Sequence, residues 1–438
     1  MRQDVIIIGG GLAGSEAAWQ AANRGAKVTL YEMRPKEMTP AHKTGDLAEL
    51  VCSNSLGSAE PASAPGILKA EMRRLHSLVI RAAEEARVPA GSALAVDRGK
   101  FSLAITHALE GHPNIRILHE EITELPTDAL CIVATGPLTS EKLSAAIARI
   151  TQSTHLYFYD AISPIVDADS INMDIAFRAS RYDKGEDDYL NCPMDEATYD
   201  ALYEALRSAE KVQPKDFEKT PYFEACLPIE VMAERGRDTM QFGPLKPVGL
   251  TDPRTGRQPY AVVQLRTENA HRSCYNLVGF QTKLTYGEQK RVFRMIPGLE
   301  QAEFLRYGSL HRNTFINAPQ LLRATLQLKS CETLFFAGQL VGVEGYTDSA
   351  AMGGLAGINA ARALAGLPLV TPPPTTAHGS LLHYITTADP RRFQPMNSNF
   401  GLFPPLPFPV RDKQRKRESI AQRALADYAA WMTQYGLS

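Results

Sequence analysis

The 438-residue sequence predicts an α/β fold interrupted by an inserted α+β domain, and three observations carry that reading. Residues 5–32 run from four apolar residues (Val5-Ile-Ile-Ile8) through a glycine corner (Gly9-Gly-Gly-Leu-Ala-Gly14) and an Ala-rich segment to a second apolar run ending in Glu32, which spells strand, turn, helix, strand. Near the other end of the chain, Leu334-Phe-Phe-Ala-Gly338 repeats the pattern of a buried strand that stops at glycine. Between the two, over residues 157–317, the alternation gives way to mixed segments interrupted by proline. The nucleotide-binding unit is therefore Rossmann-like and discontinuous, formed by 1–156 and 318–410, with 157–317 as the insertion and 411–438 as a basic C-terminal helix.

In chain order, the glycine corner comes first. Gly9 permits the tight turn, Gly11 lets a pyrophosphate approach the backbone, and Gly14 lets helix pack on strand. The phosphates then face the start of a helix over 12–23, where unpaired N–H groups and the helix dipole favour anions. Glu32 is placed to accept hydrogen bonds from a ribose 2′-OH, so the bound group is an unphosphorylated adenosine, as in FAD or NAD; the motif alone leaves that choice open. Residues 33–65 read as a long loop carrying the polar cluster Glu49-Leu-Val-Cys52-Ser-Asn-Ser-Leu56. Leu68, Met72, Leu75, Val79, Ala82 and Ala86 form the apolar stripe of one helix, followed by a strand pair near 94–97, a helix over 101–109 and a strand over 115–118. Leu130-Cys-Ile-Val-Ala134-Thr-Gly136 is a further buried strand. In flavoproteins with two dinucleotide sites a strand ending in Ala-Thr-Gly lies against the nucleotide, which tilts the choice to FAD and to a domain of glutathione-reductase type. The insertion holds an acidic helical stretch (195–211), the segment Phe223-Glu-Ala-Cys226-Leu-Pro, and Gly279-Phe-Gln-Thr-Lys283 leading into a helix over 286–296. After Gly338 come a loop with Glu344 and Tyr346 and a helix over 349–365 whose first turns, including Gly353, are small residues. Such residues weaken a helix and leave room either for close packing or for a flat ligand such as a flavin pyrimidine. A final amphipathic helix spans 412–435.

Composition narrows the class. No apolar run approaches the ~18 residues of a membrane span, and Asp4 stands where a signal peptide would be positive, so the expectation is a soluble, cytoplasmic protein without a membrane partner. Cysteines 52, 131, 192, 226, 274 and 331 lack C-x-x-C or Cys/His spacing, which argues against a redox dithiol and predicts no metal site. Each is either a nucleophile or a small buried hydrophobe. The net charge of −1 gives no global sign of a nucleic-acid partner. Residues 251–330, however, hold 12 Lys and Arg against 5 Asp and Glu, and 181–220 hold 6 against 11. Either the positive stretch is a footprint for phosphates, or it is a set of separate solvated faces.

Taken together, Gly9-Gly-Gly-Leu-Ala-Gly-Ser-Glu-Ala-Ala-Trp19, Tyr31-Glu-Met-Arg-Pro35, the Cys52 cluster, Val88-Pro-Ala-Gly91, Leu94-Ala-Val-Asp-Arg98 and Phe336-Ala-Gly-Gln-Leu-Val-Gly-Val-Glu-Gly-Tyr-Thr-Asp-Ser349 resemble the bacterial folate- and FAD-dependent tRNA (uracil-5-)methyltransferases. The resemblance runs from residue 1 to about 405, and its Cys52 and Glu344-Gly-Tyr346 motifs are specific to that family; Gly57 departs from it, standing where a basic residue is expected. It implies that methylenetetrahydrofolate supplies a one-carbon unit to C5 of the T-loop uridine, position 54 of tRNA. Reduced FAD would supply the electrons that take methylene to methyl, and NADH or NADPH would re-reduce the flavin. Cys52 and Cys226 match the family's catalytic pair. Uracil C5 is a poor nucleophile until a thiolate adds at C6, and a base must then remove the C5 proton. We assign Cys226 to C6, because the insertion is the tRNA-facing side, and Cys52, nearer the flavin, to the base or to guarding the one-carbon intermediate; the reverse assignment stays open. The cofactor residues so implied are Gly9, Gly11, Gly14, Glu32, Ala134, Gly136, Gly338, Tyr346 and Gly353, with Tyr346 stacking on pterin or flavin. Lys283, Arg291, Arg294, Arg312 and the run 411–417 are candidates for tRNA phosphates. Three readings compete: a flavin-dependent NAD(P)H oxidoreductase of a small molecule, disfavoured by the missing paired cysteines; a relative of the larger tRNA wobble-uridine carboxymethylaminomethyl-modifying flavoprotein; and a non-catalytic FAD-containing RNA-binding protein.

Overall fold

In the computed structural model the described residues are 4–152, 156–161, 163–183, 188–212, 227–268, 272–308, 310–391 and 393–437. The chain opens with β1 (Asp4–Ile8), α1 (Leu12–Ala22) and β2 (Lys27–Glu32). It continues through β3 (Ser55–Ser58), α2 (Ala64–Arg74), α3 (Leu78–Glu85), β4 (Arg87–Val88), β5 (Ala93–Val96), α4 (Arg98–Glu110), β6 (Ile115–His119), β7 (Leu130–Val133) and α5 (Glu141–Thr151). Strand β1 pairs in parallel with both β2 and β7. The strand order reverses there, and in open α/β sheets that reversal makes a crevice at the carboxyl ends of the strands. Both faces of the sheet are covered, which is why β1 is a continuous apolar run with Val5 and Ile7 fully buried.

Two differences from the sequence reading have local causes. The stripe read as one helix over 68–86 is two, because His76 takes a left-handed φ of 56° and Ser77 caps α3, accepting from the Ile80 N–H while donating to Glu16. Within the long loop, Ser55–Ser58 pairs with β5 as a short antiparallel strand.

The inserted segment begins with β8 (Leu156–Ala161), β9 (Ile165–Asp167), β10 (Phe177–Arg178), β11 (Tyr189–Met194), α6 (Glu196–Ser208), α7 (Ile229–Arg235) and α8 (Arg237–Phe242). Next come β12 (Ala261–Thr267), β13 (Cys274–Leu277), α9 (Tyr286–Phe293), β14 (Phe304–Arg306) and β15 (Leu310–Phe315). Its sheet runs β10–β11–β12–β13–β9–β14, and a separate core of residues such as Tyr199, Leu265, Phe280 and Phe293 backs it. Strands β8 and β15 pair with each other antiparallel where the chain enters and leaves this segment.

The return adds α10 (Ala318–Leu321), β16 (Gln327–Leu328), β17 (Cys331–Phe336), α11 (Tyr346–Leu364), α12 (Ala377–Thr387) and α13 (Lys413–Tyr435). Strand β17 pairs in parallel with β7 and completes the order β16–β17–β7–β1–β2–β6. Helix α11 begins three residues earlier than the small-residue pattern indicated and lies across α1. A Cβ on Gly353 would stand 2.1 Å from the Ala13 carbonyl oxygen, and one on Gly357 2.3 Å from that of Ala17. The small residues therefore serve helix-to-helix contact. Helix α13 packs Tyr428, Trp431 and Met432 with Leu75, Ile358 and Val370. Among the described residues no helix is long and apolar enough to cross a membrane.

Candidate active site

A cleft opens at the carboxyl ends of β1, β2 and β7. Gly9, Gly11, Glu32, Ala134, Gly136 and Tyr346 of the predicted residues line it. Gly9 has φ of +103°, and a Cβ there would stand 2.7 Å from the Ala134 carbonyl oxygen, so the corner closes only with glycine. A Cβ on Gly11 meets nothing within 4 Å, which leaves open space at the start of α1, where no side chain caps the helix. Uncapped N–H groups beside open space are what a phosphate requires.

The Glu32 carboxylate sits at the end of β2. One oxygen accepts from the Gly10 N–H at 2.8 Å; the other accepts from the N–H (3.0 Å) and Nε (2.9 Å) of Arg34. Burial alone would raise its pKa, but these bonds and the Arg34 charge outweigh burial and hold it below the usual carboxylate range. Glu32 is thus an ionised acceptor at the cleft.

The other three predicted glycines do not line the cleft. Gly14 packs on the turn, where a Cβ would fall 1.8 Å from the Gly9 carbonyl oxygen; Gly338, with φ of +75°, abuts Ala13; and Gly353 lies at the α1–α11 crossing. All three hold α1 in position.

Cys52 sits at the rim, next to Val51, which lines the cleft. Its loop is held from three sides. The Tyr346 hydroxyl accepts from the N–H groups of Cys52 (2.8 Å) and Ser53 (3.2 Å). Arg98 donates to the Leu50 carbonyl at 2.7 Å and, through Nε, to Glu268 at 2.6 Å. From β14, Arg306 donates to the carbonyls of Val51 (3.0 Å) and Cys52 (3.1 Å). Burial pushes the Tyr346 phenol well above its ordinary value, so it is neutral. The thiol interacts electrostatically with Arg98, Arg266 and Arg306. Three guanidiniums against the single carboxylate of Glu268 make a field that favours an anion at this loop. Asn54 joins the two units: its amide donates to the carbonyls of Val96 (3.0 Å) and Thr267 (2.8 Å), and its oxygen accepts from Arg266 Nε at 2.9 Å.

Cys226 lies outside the described residues, as does the side chain of Arg312. On either side of the segment bearing Cys226, the Val212 N–H donates to the Lys283 carbonyl (2.7 Å) and the Ile229 N–H to that of Gln281 (2.8 Å). Several of the proposed phosphate contacts have protein partners. Arg294 donates twice to the Ala302 carbonyl, and Arg291 pairs with Glu288. The run 411–417 is exposed. The sequence reading missed Arg266, Glu268 and Arg306, whose role becomes visible only when the insertion docks on the Cys52 loop. Only the position of Arg98, in a motif four residues after Leu94, offered a signal. No cluster able to hold a metal ion occurs among the described residues.

Comparison with known proteins agrees with this architecture. The family model described as glucose inhibited division protein A matches residues 4–368. Among curated relatives, a protein of Desulforudis audaxviator is 58% identical over 437 residues, covering 100% of both chains, and one of Heliobacterium modesticaldum is 60% identical over 430 residues, covering 98% of both. Each is named methylenetetrahydrofolate–tRNA-(uracil-5-)-methyltransferase TrmFO. Among solved structures, Aquifex aeolicus GidA aligns with a TM-score of 0.72 at 19% identity, over 99% of this chain and 74% of that one, a likeness of fold.

Proposed function

The chain belongs to the glucose inhibited division protein A family, and within it we propose that it transfers a one-carbon unit from methylenetetrahydrofolate to C5 of the T-loop uridine of tRNA, position 54. Relatives of 58–60% identity that cover nearly the whole chain carry the corresponding name. The observation that carries the reading is the placement of Cys52, whose loop joins the nucleotide cleft at Val51 to the insertion at Arg266 and Arg306.

The cleft suits FAD. Gly9, Gly11 and the uncapped start of α1 would receive the pyrophosphate, Glu32 the adenosine ribose, and Ala134 to Gly136 the flank of the nucleotide. When bound, FAD supplies the electrons that take methylene to methyl, with NADH or NADPH as their source. The chain's own part is to activate the base. Addition of the Cys226 thiolate to C6 places electron density on C5, which then bonds the methylene carbon. Removal of the C5 proton by the Cys52 side lets the carbon–nitrogen bond to the folate break, so that tetrahydrofolate leaves; as two electrons and a proton convert the methylene to methyl, elimination of the Cys226 thiolate restores the uracil ring. Arg98, Arg266 and Arg306 stabilise negative charge at the Cys52 loop while Tyr346 fixes the loop's backbone.

Incubation with undermodified tRNA, NADH and methylenetetrahydrofolate labelled in the methylene carbon tests the reading. Nucleoside analysis should recover the label in 5-methyluridine. An active flavin with no label in RNA would overturn the reading in favour of small-molecule oxidation.

A further inference from the structure

The insertion carries a run of aromatic rings that leads out of its core to the surface. Phe293 is fully buried and lies 6.4 Å from Phe304. Phe304 stacks on Tyr307 (5.3 Å, 16° between planes), and Tyr307 stacks on Tyr286 (4.9 Å, 22°). The stack thus steps outward from the core to Tyr286, which is 62% exposed. Leu305, next to Phe304 in sequence, is also exposed. An apolar ring at the surface forfeits the burial that normally repays ordering it.

Hydrogen bonds tie together the segments that carry this stack. The fully buried Gln289 side chain donates to the carbonyls of Leu284 (2.8 Å) and Gly308 (2.9 Å) and accepts from the Gly308 N–H (2.8 Å), tying α9 to the segment after β14. Cations lie close to it: Lys290 and Arg291 are exposed on α9, Arg291 paired with Glu288, and Lys283 is half-buried just before the helix, its backbone N–H donating to the buried Glu230 carboxylate at 2.7 Å. It is also linked to the Cys52 loop. Arg306, which grips the Cys52 carbonyl, stands between Leu305 and Tyr307 in sequence, and Lys283 and Gln281 receive the backbone on the two sides of the Cys226 segment.

Resting on the tRNA reading above, we propose that Tyr286 and Tyr307 form a platform on which an unpaired nucleobase of the tRNA loop stacks, with the nearby cations meeting its backbone. Single-stranded RNA is recognised chiefly by unstacked bases on aromatic rings combined with positive charge. A T-loop uridine becomes reachable at C5 only when its loop is opened, so a displaced base needs a new stacking partner. A second copy of this chain would bring the same cationic rim and be repelled, which favours RNA as the occupant.

The test is a series of dissociation constants for unmodified tRNA transcript, with Tyr286→Ala, Tyr286→Phe and Tyr286→Trp compared with wild type. Tyr286 is the first residue of α9, where alanine is a good helix former, so the fold should persist. Tyr286→Ala should raise Kd by about 5- to 100-fold with an unchanged salt slope, while the Phe and Trp variants stay within about twofold of wild type. In Lys290→Ala the slope of log K against log salt should shrink by about one. Flavin content should be equal throughout. A wild-type Kd in Tyr286→Ala, equal weakening in Tyr286→Phe, a changed molecular mass in Tyr286→Ala, or no tRNA binding by wild type would each overturn the platform. Failure of methyl transfer is read separately in the nucleoside analysis, because the Kd series does not depend on it.

Discussion

Single atoms decide what each glycine of the first motif does. The open space around a Cβ at Gly11 means that a side chain begun there meets no protein atom at its first carbon and projects where a ligand would lie. Gly11→Val should therefore melt within about 2 °C of wild type, as surface changes do, and purify without yellow colour; full flavin occupancy would refute the phosphate site. Lys69 poses a different question at the same scale. Its ammonium is fully buried, donating to the Ser58 carbonyl at 3.0 Å, and burial pushes its pKa down to about 8, with Asp348 pulling the other way. Since its unfolded value is about 10.4, the unfolded chain holds more protons between those pH values. The destabilisation is therefore full below pH 8 and is relieved as pH rises towards 10. In denaturant titrations wild type should gain about 2 kcal/mol relative to Lys69→Met from pH 8 to pH 10; a constant difference would show that the ammonium is solvated.

Between α1 and α11 the contact is backbone against backbone. Gly→Ala in an exposed helix usually stabilises by about 1 kcal/mol, yet a Cβ on Gly357 would meet the Ala17 carbonyl oxygen and Cα, neither of which can swing away. Gly357→Ala should instead lower stability by about 1–3 kcal/mol and weaken flavin retention by displacing the start of α1, with Tm and absorbance spectra as the measurements. A stabilised variant would contradict the close crossing. Elements were legible in the sequence where their cause is local, as in the strand, corner and helix of residues 5–32. The break at His76 and Ser77 was not, because the partner of Ser77 is Glu16, 61 residues away. The small residues after Gly338 admitted two explanations, and only the path of α1 beneath them separates packing from ligand.

Across the whole molecule, counting charge along the chain overstated the positive surface. Of the cations in 251–330, Arg254 pairs with Asp252, Arg266 with Asn54, Arg294 with the Ala302 carbonyl, and Arg306 with the Cys52 loop. Two of these arginines, Arg266 and Arg306, join the insertion to the nucleotide unit, a function that no linear pattern displays. Asn54→Ala should remove the partner of Arg266 Nε and a donor to the Val96 and Thr267 carbonyls, costing about 1–3 kcal/mol for buried hydrogen bonds lost. It should cut methyl transfer at least tenfold while retaining flavin; loss of flavin in parallel would mean that the two units are not separable in this way. The candidate site was half legible: Cys52 and the cleft glycines came from motifs, whereas the arginine clamp required the docked insertion. The central claim is that the uridine meets its nucleophile where that insertion faces the Cys52 loop. Trapping with 5-fluorouridine-substituted tRNA tests it most directly. The account predicts a covalent complex whose RNA-linked peptide contains Cys226, with adduct formed by Cys52→Ala and absent from Cys226→Ala, both proteins still yellow. An adduct of normal yield in Cys226→Ala, or none in wild type, would contradict it.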